Sequence, residues 1–525
     1  MTKRIALPVA LLLVLLTADI AVSHEERPSS FPDGSGTVPK YRTSGPSLVV
    51  CKPHTPKRIA GFPAGLKAFN QRLYRRCQRN GFHHIQDAVD AVRVPGTRIL
   101  VQPGTYREKP SLAPLSQECA PLASEDAKPL SYEDQKRCPH VENLIAIFGD
   151  SPEDEGIKCD GPLCNLQVEG TGRRPLDVIV NGDVKKLNVI RADRADGIYF
   201  RNFTVQFAEF NALYVIETDG FVIDRVIGRW NWEYGFLTFA SDHGLYKNCE
   251  AYGNGDGGLY PGSAADLPPE ADRPSQEIRN CNAHHNTIGV SGTAGDDIYV
   301  HDNRLHHNMV GVTLDSFFPN HPGLPQNSAR FENNRIYSNN EDYYENYRNG
   351  TCDDLVAATK AGKVCPSVPV PIGTGIMLAG GNDNLFEKNY IFDNWRYGAM
   401  QFWVPATFRN ENDPQKQYDT SHRNQYLENW MGVRPNGNAD SNGTDFWWDE
   451  EGSGNCWDGN IPANGEQITS DPPHPLLPVC DDPGVDVDRK GNPAKTALLG
   501  PCATWSRQNY EPAGCDWMQR PAEPN

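Results

Sequence analysis

Short alternations of apolar and polar residues run through the middle of the chain, for example Ile198 and Phe200, Phe221 and Ile223, and Ile298 and Val300. Each reads as a strand with one buried face, and no helical periodicity competes with it there. The alternations also recur. NRLHHNMVGVTL from Asn303 sets Asn-x-apolar-x-x-Asn ahead of a glycine and a strand. The pattern returns as CNAHHNTIGVSG from Cys281, NCEAYGNGDGGLY from Asn248 and NYIFDNWRYGAMQF from Asn389, with fragments at NRIYSNN from Asn334 and NQYLENWMG from Asn424. Phe203, Val226 and Cys249 are spaced by 23 residues, and so are Asp196, Asp219 and Asp242. A period of that length predicts an all-β solenoid, in which each coil buries its apolar face only by stacking on the next.

The repeated Asn231, Asn254, Asn286, Asn308, Asn339, Asn394 and Asn429 fall between strands, where a left-handed or bridge conformation is expected and Asn tolerates it. They and the turn aspartates, including Asp296 and Asp297, are read as scaffold. HIQDAVDAV from His84 has apolar residues at 85, 88, 89 and 92, the spacing of an amphipathic helix that would cap the open N-terminal end of the stack. The expected organisation is an export signal over 1–23, a leader over 24–80 (flexible over 24–47), the solenoid over 81–435 with a Cys- and Pro-rich insertion at 107–175, and a Cys-rich extension over 436–525. Within the extension, the segment from Asp445 to Glu451 is expected to cap the stack or to extend a groove.

Composition adds a compartment. Lys3 and Arg4, the apolar run Leu7 to Leu16 and the small-residue site ending at Ser23 predict export, and no later run is long enough for a bilayer. The chain is expected to be secreted, without a membrane partner. Fourteen cysteines suit an oxidising environment. Near neighbours predict the pairs Cys51–Cys77, Cys119–Cys138, Cys159–Cys164, Cys352–Cys365, Cys456–Cys480 and Cys502–Cys515. Cys249 and Cys281 lie at equivalent positions of adjacent coils, either bridged or as buried thiols. No Cys/His cluster has zinc spacing, so no metal ligands are assigned. The formal charge of −17 argues against nucleic acid as a partner. A monomer is expected.

The string IQDAVDAVRVPGTRILVQPGTYRE, followed by coils of Asn-x-apolar-x-x-Asn-x-x-x-Gly, resembles the pectin lyase-like superfamily of right-handed parallel β-helices. The coils are most similar to its carbohydrate-binding and sugar-hydrolase repeat group. The resemblance covers residues 81–435 and implies a right-handed parallel β-helix with an N-terminal helical cap. It implies no single chemistry, because the superfamily holds pectate lyases, polygalacturonases, alginate epimerases, phage tailspikes and non-catalytic surface proteins. In such enzymes the sheet formed by the strand after each glycine carries the active site. Long insertions at 261–275, 316–328 and 404–421 leave from that sheet and would wall a groove.

On a polygalacturonase frame Asp256 takes the first catalytic aspartate position, but Gly257 occupies the second and the paired motif is broken. The repeat offers another pair. Glu233 and Asp256 each follow a ladder Asn by two residues, which puts them on adjacent coils with backbones about 4.8 Å apart. Carboxylates that close split their pKa values into an acid and a base, and would equally suit calcium. Asp256, Glu233 and Tyr260 are therefore the expected catalytic residues, with calcium open as a cofactor. Tyr214, Glu217, Asp315, Arg396 and Trp403 are expected to bind substrate, with Ser291 and Gln401 also facing outward. For a lyase or epimerase, Tyr260, His285 or His307 would serve as base and Arg396 would bind a uronate carboxylate. The expected function is a secreted carbohydrate-active enzyme, a glycoside hydrolase or polysaccharide lyase. The alternative is a non-catalytic glycan-binding or adhesion protein.

Overall fold

The computed structural model describes residues 27–123, 129–149, 159, 161–463, 467–473, 476–480, 489–507, 509–511 and 513–524, so the expected export signal lies outside the described residues. Asp219–Asp224, Ile227–Arg229 and Tyr234–Phe239 form one coil, and the next strand, Asp242–Lys247, returns parallel to the first in the register Asp219↔Asp242 and Ile223↔Tyr246. Repetition of this step stacks the chain into three parallel sheets of 12, 11 and 11 strands, a right-handed parallel β-helix. The strands of the coil just described belong to the first, second and third sheet respectively.

Period-two alternation fills the interior. Ile198, Phe200, Phe221, Ile223, Ile278 and Val300 all lie in one continuous buried core. The Asn ladder runs beside it. Asn231 Nδ2 donates to Asn254 Oδ1 at 2.7 Å, Asn254 to Asn286 at 2.7 Å, Asn286 to Asn308 at 3.2 Å, and Asn308 to Asn339 and Asn339 to Asn394 at 3.0 Å each. Two expectations change here. The left-handed residue is not the Asn but its predecessor, Trp230, Gly253, His285, His307, Ser338 or Asp393. That geometry turns the Asn amide inward, where a buried amide must find partners, and the next coil supplies them. Asn429 belongs to a second ladder, Asn303, Asn334, Asn389, Asn429 and Asn460, and Asn442 takes its place in the first because residues 432–441 lengthen that coil.

The stack is longer than 81–435. Ser47–Val50 pairs with Arg98–Val101, and the ladder continues through Thr444–Trp448, Cys456–Asp458 and Ser470–Asp471. The segment 107–175 holds two ladder strands of its own, Asn143–Phe148 and Gln167–Gly170. Ile85–Asp90 is the expected helix, with Ile85, Ala88 and Val89 in the core. A second helix, Ala64–Asn80, stands beside it and is tied to the first strand by Cys51–Cys77. All fourteen cysteines are bridged: the six expected pairs form, and Cys249 and Cys281, left open between a bridge and buried thiols, make the seventh. No helix among the described residues is long and apolar enough to cross a membrane.

The described part of the 24–47 leader is bound rather than loose. Arg42 and Gln167 exchange two hydrogen bonds of 3.0 Å, and Gly36 N donates to Asp219 at 2.7 Å. Arg27 is buried and reaches Asp193 through both terminal nitrogens, at 2.9 and 3.0 Å, and Glu217 as well. Removing one member of a buried ion network strands the others. Arg27→Ala is expected to cost about 3 kcal/mol in chemical denaturation and to open the leader to limited proteolysis. An unchanged midpoint would mean that Asp193 and Glu217 are satisfied without Arg27.

Candidate functional site

On the third sheet Leu213, Phe236, Leu259, Val290, Val312, Ile376 and Ala399 point inward. The opposite face is covered. One apolar patch there joins Tyr214, Tyr234, Leu237, Phe239 and Tyr260. Another joins Val310, Met377, Met400 and Phe402 to Tyr344 and Ile372 of an insertion and to Trp505, Trp517 and Met518 of the C-terminal tail. The insertion is closed by Cys352–Cys365 and the tail by Cys502–Cys515. Arg396 clamps the two together. It pairs with Asp516 Oδ2 at 2.8 Å and donates to the carbonyl oxygens of Ile372 at 2.9 Å and of Asp516 and Gln519 at 2.8 Å. Its expected role in substrate binding is corrected accordingly: the guanidinium is spent on the tail.

Between the patches the chain brings Glu233 and Asp256 together as the repeat predicts, with Asp256 N donating to Glu233 O at 3.0 Å across adjacent coils. Both are buried, at 3% and 2% exposure. Arg507 of the tail donates to Glu233 Oε1 at 2.8 Å, and Ser367 Oγ of the insertion lies 3.4 Å from Asp256 Oδ2. Gly255 allows this approach, since a Cβ there would meet the carbonyl oxygens of Trp232 at 2.0 Å and Cys365 at 2.6 Å. One oxygen of each carboxylate, Glu233 Oε2 and Asp256 Oδ1, has no hydrogen-bond partner, and neither has the indole Nε1 of Trp232 or Trp505.

Burial sets the electrostatics. Desolvation lifts Asp256 to about 7, against the hydroxyls of Tyr234 and Ser367 and with added repulsion from Asp315. Glu233 is raised well above the usual carboxylate range by burial, with the Arg507 cation opposing and Asp256 adding to the rise. Desolvation also lifts Asp315 to about 6, although it accepts from Thr293 Oγ1 at 2.9 Å and from Phe317 N at 3.1 Å. Tyr260 stacks on Tyr234 with centroids 4.7 Å apart, and its hydroxyl lies 3.4 Å from His321 Nε2. Burial, Asp315 and Asp256 hold that hydroxyl protonated.

Three expected residues stand elsewhere. Tyr214 is fully buried beneath the Arg191 guanidinium, 4.8 Å from its ring. Glu217 is consumed by Arg27 and by Arg194 Nε at 2.9 Å. Gln401 shares register with Leu378 and Trp448 and so points into the core, where its amide is unpartnered. Trp403 does reach the rim, half-buried and stacked on Tyr418 at 5.2 Å, and Tyr418 is 61% exposed. His285 and His307 lie on the second-sheet side of the Asn ladder, where partial covering of the rings first and the facing imidazoles next push His285 down to about 4 and His306 to about 3. A calcium ion between Glu233 and Asp256 would have to displace Arg507. Asp219, Asp242 and His243 bring ligand atoms within 4.8 Å, but Gly36 N, His243 and a bidentate Arg273 already take their oxygens.

Tyr234, Ser367, Arg507 and Thr293 complete the site without having been expected. Tyr234 was within reach as the strand residue next to Glu233. Ser367 and Arg507 arrive from outside the repeat, 111 and 274 residues from their carboxylates, where no register points to them.

A family model described as "Right handed beta helix region" matches residues 183–318 and 211–353. No curated protein matches the chain. Among solved structures, the Azotobacter vinelandii mannuronan C-5 epimerase AlgE4 A-module is 11% identical with a TM-score of 0.39, over 74% of this chain and 92% of its own. The pectate lyase Pel9A is 14% identical with a TM-score of 0.34, over 62% and 70%. A DFA-IIIase from Arthrobacter chlorophenolicus A6 is 12% identical with a TM-score of 0.38, over 74% and 83%. The fold itself rests on the strand ladder of this chain, and no single activity family is matched.

Proposed function

We propose that the protein is a polysaccharide-cleaving enzyme, acting as a glycoside hydrolase through carboxyl groups on the outer face of the third sheet. The observation that carries this reading is Asp256, a buried carboxyl lifted to about 7 with one oxygen unpartnered. A group that stays protonated to neutrality is suited to donate a proton to a leaving glycosidic oxygen. Asp315, lifted less, to about 6, ionises first, and its charge adds to the rise that keeps the proton on Asp256. Tyr234 stands beside Asp256 as a hydrogen-bond donor, and Tyr260 stacks on Tyr234. Trp403 and Tyr418 at the rim offer flat faces for sugar C–H surfaces. Glu233 is held by Arg507, so its part is to anchor the tail over the site and not to react.

Burial of both carboxyls favours a second reading as well. A site closed by insertion and tail would suit a glycan-binding protein that presents loops and cleaves nothing. A panel of uronate-rich and neutral polysaccharides separates the two. New reducing ends without unsaturated uronate absorbance are expected. Absorbance of unsaturated uronate would replace the hydrolase with a lyase, and binding without either signal would leave only the second reading.

A further inference from the structure

Outside the carboxylate site, the strands Asn282–His284 and Arg304–His306 and the turns after them set four imidazoles in a two-by-two array on the exterior of the second sheet. Within each coil the rings face each other through nitrogen. His284 Nδ1 lies 2.7 Å from His285 Nδ1, and His306 Nδ1 lies 2.7 Å from His307 Nδ1. Across coils the rings stack, His284 on His306 at 5.3 Å and His285 on His307 at 5.4 Å, in a column continued by Tyr252 below and Tyr337 above. His285 and His307 are the left-handed turn residues of their coils, which sends their side chains outward, and His285 is exposed.

The far nitrogens fix the protons. His284 Nε2 lies 3.2 Å from Glu250 Oε1 and His306 Nε2 lies 2.9 Å from Asn282 Oδ1, both acceptors. Each of these rings therefore carries its hydrogen on Nε2 and accepts at Nδ1 from the Nδ1–H of His285 or His307, a hydrogen that a bound metal would displace to the outer nitrogen of that ring. An imidazole oriented by a carboxylate or carbonyl on its outer nitrogen is the usual arrangement around a metal. From this geometry we infer that each His-His pair chelates one divalent transition-metal cation of the copper or nickel class. At a metal–nitrogen distance of about 2.0–2.1 Å, nitrogens 2.7 Å apart subtend roughly 80–85° at the metal. That is a cis angle of a tetragonal centre, which suits Cu(II) or Ni(II), whereas a tetrahedral zinc would need nitrogens about 3.3 Å apart. One ion spans nitrogens no more than about 4.2 Å apart, so the two coils hold separate ions and the second binds more weakly by like-charge repulsion.

The test is cupric titration of the full chain carrying no added histidine tag, followed by calorimetry and electron paramagnetic resonance. Nitrogen hyperfine structure from two imidazoles per copper is expected, with roughly two equivalents bound. H285Q should leave roughly one equivalent, and H285Q/H307Q should weaken binding roughly a hundredfold while the melting temperature holds. Because both replaced rings lie toward solvent, E250A serves as a second variant that leaves all four rings in place and should weaken the first equivalent roughly tenfold. Absence of nitrogen hyperfine structure, or copper binding that survives unchanged in H285Q/H307Q, overturns the inference.

Discussion

Replacing Asp256 with Asn is expected to lower polysaccharide turnover about a thousandfold, within the range supplied by a positioned general acid, while the fold is retained. The exchange keeps shape and removes only the proton that can be given away. Asp256 is enclosed by Tyr234, Ser367 and the backbone of Glu233, so an amide of the same outline fits the space the carboxyl leaves. Substrate affinity should change far less than kcat, because the loss lies in the transition state. Initial rates on whichever polysaccharide the screen identifies measure this, and turnover within tenfold of the native chain would remove Asp256 from the mechanism.

The same substitution is expected to flatten the dependence of stability on pH. Asp256 ionises near 3.8 when the chain is unfolded and near 7 when folded. Below about pH 4 both states hold the proton and the group contributes nothing. Between about pH 4 and pH 7 the unfolded chain has released a proton that the native chain still binds, so native stability falls as pH rises and levels off above the folded value. At 1.36 kcal/mol per pKa unit the loss is roughly 4 kcal/mol. Between about pH 4.5 and about pH 7.5 the native chain should lose about 3 kcal/mol more than Asp256→Asn, in which Asp315 and Glu233 still titrate, and the variant would be the more stable protein at neutral pH. A variant that is dead and yet more stable is the signature of a residue kept for chemistry at the expense of the fold. Parallel curves for the two proteins would mean that Asp256 is not desolvated in solution.

What was legible in the sequence follows from locality. The 23-residue register exposed the first Asn ladder as far as Asn394, because each coil repeats the same local problem, an apolar strand followed by a turn with an inward amide; it missed the second ladder, where coils of unequal length shift the count and Asn429 falls out of step. Register alone therefore stacked Glu233 under Asp256 and set Cys249 against Cys281. The helix Ala64–Asn80 was readable too, from Leu66, Phe69, Leu73 and Cys77 at intervals of three and four. Its basic residues hid it inside a segment taken for a leader. Arg27, Ser367, Arg507 and Arg396 were not readable. Each acts at a point where a segment outside the repeat folds back on the stack, and such contacts have no period. Parity also failed locally. Gln401 follows an apolar alternation as if it faced outward, but the strand Tyr397–Phe402 enters with Ala399 inside, which turns Gln401 inward with it.

Insertion and tail together leave Asp256 only 2% exposed, so a polymer reaches it only after that covering moves. The measurement is a crystal structure of Asp256→Asn soaked with the oligosaccharide product of the polysaccharide it acts on. Sugar rings are expected across the outer face of the third sheet, against residue 256 and Tyr260, with Arg507 drawn away from Glu233. Sugar bound elsewhere on the molecule, with the tail still seated over the two carboxylates, would contradict this placement.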